Sequence, residues 1–130
     1  MKNLERRLRM HTLRFTITAH GYSITDNNNE QLWVIGELLL DKAALHQALQ
    51  LIKSQQEENF GPRFHLIKQE DIIRIDFFNN KKVTAPLTVD IKITTLANLI
   101  DYWKTLLEQE PEHIVLTEQQ DTYTLSSEPL

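Results

Sequence analysis

Apolar and polar positions alternate from Leu87 to Thr94, with Leu87, Val89, Ile91 and Ile93 set against Thr88, Asp90, Lys92 and Thr94. The period then changes. Leu96, Leu99, Ile100, Trp103, Leu106 and Leu107 recur at helical spacing, which predicts a strand over 83–94 running into a helix that stops before Pro111. Either Thr94 or Thr95 is placed to cap that helix. The stretch from Leu32 to Ile52 has the same grammar. Leu32 to Leu40 reads as an apolar strand, and Asp41 caps a helix that buries Ala44, Leu45, Ala48, Leu49 and Ile52 and is stopped by Phe60-Gly61-Pro62.

The remaining segments are strands and turns. Leu13 to Ile24 places Phe15, Ile17 and Ala19 on one face, with Gly21 as a bulge, and the polar turn Asp26 to Glu30 joins it to 32–40 as a hairpin. Phe64 to Lys68 and Ile72 to Phe78 are short strands, and Asn79 to Lys82 turns the chain into the 83–94 strand, which Pro86 assigns to an edge or a bulge. Ile114 to Thr117 and Thr122 to Leu125 close as a last hairpin. The order is ββα-βββ-α-ββ. Strands in adjacent pairs favour hairpins, so the expected fold is α+β: a single-domain two-layer sandwich with a mainly antiparallel sheet and two helices on one face. The domain spans 13–126, flanked by a basic segment, 1–12, and a tail, 127–130.

Composition narrows the class without changing the fold. A chain of 130 residues supports one domain with a real core, and 41% hydrophobic with 25% charged residues excludes wholesale disorder. There is no cysteine, hence no disulfide, thiolate metal site or cysteine nucleophile. The longest apolar run, 32–40, contains Glu37 and falls well short of the ~20 residues of a membrane helix. Arg14 and Thr16 interrupt the apolar stretch that would have to follow the basic start in an export signal, so a cytoplasmic location is expected.

Charge is uneven along the chain. The total is −4, yet residues 1–14 carry five basic groups against Glu5, a net of +4, and residues 101–130 carry seven acids against Lys104, a net of −6. Solvated termini account for this distribution, and a start at Met10 would remove most of the basic segment. An acidic total with small basic clusters argues against nucleic acid, even though Phe77 and Phe78, aromatic rings of the kind that stack on bases, lie beside Lys81-Lys82.

Motifs for chemistry are absent. Gly21, Gly36 and Gly61 are isolated and build no phosphate loop, and no serine lies in a nucleophile elbow, with Ser126-Ser127 in a stretch expected to fray. His11, His20, His46, His65 and His113 show no ligand spacing, so neither metal nor cofactor is assigned. Glu37 is the most interesting acid. As a strand residue it shares a face with Trp33, Ile35 and Leu39, the apolar surroundings of a candidate general base, or of a structural carboxylate paired with Arg14, Arg74 or Lys92.

The same parity sends Ile73, Ile75 and Phe77 to the core and Ile72, Arg74, Asp76 and Phe78 to the opposite face. Together with Trp33 and Glu37 these form the candidate partner-binding set, the large apolar side chains as anchors and the charged ones for specificity. Leu4 and Leu8 on a short helix within 2–11 offer an intramolecular cover for the same face. The leading expectation is a non-catalytic protein-binding module, an adaptor, chaperone or immunity-like inhibitor that meets a protein partner or a second copy of itself. Two other readings stay open. One is a small-molecule sensor or enzyme with a sheet-helix pocket using Glu37, His20 or His65 for proton transfer, and the other is a structural homodimer.

Overall fold

The computed structural model describes residues 9–78 and 85–128. Its elements run β1 (His11–Thr18), β2 (Gly21–Asn27), α1 (Glu30–Leu40), α2 (Lys42–Lys53), β3 (Glu58–Phe60), β4 (Phe64–Gln69), β5 (Ile72–Phe77), β6 (Leu87–Lys92), α3 (Ile93–Gln109), β7 (His113–Gln119) and β8 (Thr122–Glu128). The α+β class, the antiparallel pairing and the order of strand and helix groups are those expected. Two four-stranded sheets form, ordered β2-β1-β7-β8 and β3-β4-β5-β6, every pair antiparallel. The helices pack against both sheets: α1 touches β6 of one and β1, β2 and β7 of the other, while α3 touches β6 and β8.

Residues 32–40 are helix, not strand. Asn29 begins the helix by accepting a hydrogen bond from the Leu32 amide at 3.1 Å through its Oδ1. Leu32, Val34, Ile35, Gly36, Leu38 and Leu39 are all buried, a distribution with no strand-like alternation. A helix packed on several sides is apolar all round, so its composition is the same as that of a buried strand. The hairpin assigned to 32–40 is made earlier, within the stretch read as one strand. The chain reverses at Ala19-His20, and Gly21 has the positive φ of +110° that the turn requires.

Three boundaries also shift. Helix α2 ends at Lys53, well before Gly61-Pro62, because the Lys68 ammonium donates to the Leu51 and Ser54 carbonyls at 2.8 and 2.6 Å and serves acceptors that the helix end leaves open. The released chain forms β3, an unexpected strand. Helix α3 starts at Ile93, directly out of β6 and without a side-chain cap, so Thr94 and Thr95 lie inside its first turn. The Ile93 amide is satisfied by the Asp71 carbonyl at 2.8 Å instead. Ser126 and Ser127 are not frayed, since β8 pairs with β7 through Glu128. The turn assigned to Asn79–Lys82 and the Leu4/Leu8 helix lie outside the described residues, except for the latter's last positions.

A single apolar cluster joins the layers. Trp103 of α3, 2% exposed, lies 4.7 Å from the Phe15 ring of β1, and Phe77 of β5 stacks on Phe64 at 4.8 Å. Among the described residues no polar or charged side chain is fully buried, so this core depends on apolar packing.

Gly36 marks the closest approach of α1 to the first sheet. A Cβ there would sit 3.0 Å from Leu13 Cδ1 and 3.2 Å from Ile24 Cδ1. Gly36→Leu is expected to destabilise the protein by ~2 kcal/mol or more through overpacking. Gly36→Ala should stay near neutral, because ~1 kcal/mol of helix propensity opposes a small displacement of Leu13. Urea denaturation of the two variants checks this, and a Gly36→Leu protein as stable as the parent would contradict the seating of α1 on β1 and β2.

Candidate functional site

The two sheets turn chemically different faces to solvent. On the first, β1, β7 and β8 present Thr12, Thr16, Thr117, Thr124 and Ser126, tied by Thr16–Thr25 and Thr117–Thr124 hydroxyl hydrogen bonds at 2.7 and 2.9 Å. Arg14 closes this surface by donating to Glu128 at 2.9 Å. Threonine pairs and the Arg14–Glu128 contact thus give this face hydrogen bonds across its strands.

The second sheet is mixed. Inward-pointing Phe64, Leu66, Ile73, Ile75, Phe77, Val89 and Ile91 are buried, and the alternate positions Ile67, Ile72, Arg74, Asp76, Thr88 and Asp90 line the other side. Phe60 of β3 is 70% exposed, Phe78 38% and Ile72 37%. Between them stands His65, its ring stacked on Phe60 at 3.9 Å, Nε2 3.5 Å from Glu58 and Nδ1 3.6 Å from Asp76. Asp76 accepts a hydrogen bond from Thr88 at 2.7 Å, and Arg74 donates to Asp90 at 3.3 Å. Paired charges thus surround uncovered apolar groups.

The structure divides the six residues expected to bind a partner. Ile72, Arg74, Asp76 and Phe78 share this outer face, as their parity requires. Trp33 and Glu37 do not, because they belong to α1, behind the sheet. Trp33 meets the inward-pointing Phe77 edge to face at 5.3 Å. Glu37 accepts a 2.6 Å hydrogen bond from Arg63, whose other terminal nitrogen lies 3.5 Å from Asp41. The partner is an arginine, as a structural carboxylate demands, but it is none of the three proposed from the strand reading. Arg63 also lies over Phe77 at 5.2 Å, which fastens the β3-β4 connection to the end of α1. Phe60 is no part of the expected set, and His65 enters it only as a proton-transfer candidate. Phe60 reads in sequence as part of a helix stop, and the three-residue β3 carries no period of its own.

Proton-transfer chemistry finds no assembled site. Glu37 is engaged by Arg63, His65 lies on the sheet face, and His20 stands in the β1-β2 turn, three separate surroundings. Among the described residues no three His, Asp or Glu side chains are grouped to hold a metal ion, and no helix is long and apolar enough to cross a membrane. Phe77 is fully buried and unable to stack on a base.

Two hollows remain. A cleft of about 1060 Å³ lies among the end of β6, the first half of α3 and the β7-β8 hairpin, with Asp90, Tyr102 and Tyr123 on its walls. A smaller cavity of about 530 Å³ lies among the β1-β2 turn, the α1-α2 junction and the end of α3. No protein-family model matches the chain, and no curated protein or solved structure matches it either. Function therefore has to be argued from these surfaces.

Two outcomes follow from the site's electrostatics. Arg63→Ala and Glu37→Gln are each expected to lower stability, with a coupling energy of ~1 kcal/mol in a double-mutant cycle that shrinks in high salt. Additive losses would show that the pair is not formed in solution. Burial first, then the neighbouring carboxylates of Glu118 and Asp121, push the Tyr123 phenol up from 10.0 to about 12. Because the folded value lies above the unfolded one, this contribution is complete below pH 10 and is lost as pH rises through the folded value. The alkaline fall in stability should be shallower for Tyr123→Phe, as measured by urea denaturation between pH 9 and 12.

Proposed function

We propose that this protein is a non-catalytic binding module whose outer β3-β6 face docks onto a protein partner, in the manner of an adaptor, chaperone or immunity-like inhibitor. The carrying observation is the contrast between its two sheets. Both are antiparallel and four-stranded, and both pack their inner faces on the same core. One outer face is a hydroxyl surface bonded to itself, while the other exposes Phe60, Ile72 and Phe78. Sheet packing does not require aromatic side chains in water, and desolvating such groups is what gives interfaces their energy.

Charge defines the complementary surface. Among the described residues Glu58, Asp76 and Asp90 outnumber Arg74 and Lys92 on this face, so the partner presents an apolar centre with basic groups at its rim. Phe60, Ile72 and Phe78 are the anchors. Arg74 and Asp76 fix register, and Trp33 and Glu37 support the sheet from behind. A second copy of this face would bring like charges together, which favours a different protein over a homodimer.

Affinity capture from the organism's own lysate identifies the partner, and reconstitution with the purified partner tests the face. Phe60→Ala with Phe78→Asp should weaken binding at least ~10-fold, in line with the loss of two anchors, while helical content is kept. Thr124→Asp on the hydroxyl face should have no effect. Equal binding by the parent and the Phe60/Phe78 variant would overturn the assignment.

A further inference from the structure

We propose that the smaller cavity is a binding site for an amphipathic anion: a medium-chain aliphatic carboxylate. Its wall is apolar and comes from four elements. Leu39 of α1, Leu45 and Leu49 of α2 and Trp103 and Leu107 of α3 line it, with Tyr22 of β2 at one side. Trp103, Leu39 and Leu45 are 2%, 1% and 7% exposed, so the inner wall is part of the core surface. At about 530 Å³ the cavity falls within the ~300–1,000 Å³ of small-ligand sites.

The charged side chains that line the mouth are all basic, and the acid that acts on the wall is Glu110, which adds to the burial that raises the Tyr22 phenol. His20, Lys42, His46 and Lys104 line the cavity and are exposed, and no aspartate or glutamate lines it. Several other cations are engaged: Arg14 with Glu128, Arg63 with Glu37 and Asp41, Arg74 with Asp90, and Lys68 with two carbonyls. Among the described residues the side chains of His20, Lys42, His46 and Lys104 have no such partner. Asp41 adjoins Lys42 in sequence, but its carboxylate accepts from the Ala44 amide at 3.0 Å and faces Arg63. Two ammonium groups at the mouth of an apolar cavity match a carboxylate head with a hydrocarbon tail. A cation would be repelled, and a fully polar anion would leave the leucine wall in water.

The arrangement is also self-reporting. Trp103 lies in the wall, and the chain has one other tryptophan, Trp33, packed on Phe77. Dodecanoate, below its micellar concentration, is titrated into the full chain by calorimetry and into Trp33→Phe by tryptophan emission. Single-site saturation is expected, with a change in Trp103 emission. Dodecyltrimethylammonium, with the same tail and a cationic head, should bind at least ~10-fold more weakly, as should dodecanoate to Lys42→Gln/Lys104→Gln. Any one of three results overturns the site: no saturable binding to the unmodified protein, equal affinity for the cationic amphiphile, or an unchanged affinity in the lysine variant. The partner-binding face is tested by other residues, so either reading can fail without the other.

Discussion

Helix α1 has almost no side that tolerates water, and the molecule is arranged around that constraint. Leu32, Val34, Ile35, Leu38 and Leu39 are each at most 1% exposed. At ~2 kcal/mol for each fully buried side chain, these five contribute an amount comparable to the ~5–15 kcal/mol by which a domain is stable at all. One sheet covers one face of a helix. Enclosing α1 takes surfaces from β1, β2 and β7 on one side and β6 on another, with α2 folded back along it. Gly36 permits the approach to β1, and Asp41 serves both helices, ending α1 with its amide and opening α2 with its carboxylate.

Using the inner faces of both sheets for this purpose leaves two outer faces, and they have been treated differently. The β2-β1-β7-β8 face is finished with threonines whose hydroxyls bond to one another. The β3-β4-β5-β6 face keeps apolar groups in water beside charges already paired across strands. Cross-strand pairs of that kind stabilise a sheet modestly, and they also hold charged groups in fixed positions that an incoming surface meets preorganised. Arg63 connects the two sides of the same sheet: it binds the α1 carboxylates, lies over Phe77, and through its carbonyl accepts from the Phe78 amide at 2.8 Å.

The cavity beneath Lys42 and Lys104 arises at the same C-terminal end of α1 that Arg63 holds, where α1 passes into α2. Leu39 and Leu40 of the last turn of α1, Leu45 and Leu49 of α2 and Trp103 and Leu107 of α3 surround the space. Its lysines are separated by more than sixty positions in sequence, so no local motif announces it. The outer face of β5 was more legible. Ile72, Arg74, Asp76 and Phe78 alternate with Ile73, Ile75 and Phe77 on a single strand, and that period assigned their side without knowledge of the fold.

Sequence alone determined what depends on period and on local punctuation: the α+β class, the β4-β5 and β7-β8 hairpins, the helix ended before Pro111, the Asp41 cap and the parity of β5. It left undetermined whatever depends on how many sides of a segment are covered. Residues 32–40 are apolar nearly throughout, and such a run suits a strand buried on both faces as well as a helix wedged between layers. Tertiary structure chose the helix, because two sheets stood ready to cover it and Asn29 supplied its cap. That choice moved Trp33 and Glu37 behind the sheet, made Arg63 the partner of Glu37, and brought Lys42 and Lys104 to one cavity. Each is a contact between residues distant in the chain, which only the packed layers bring within reach.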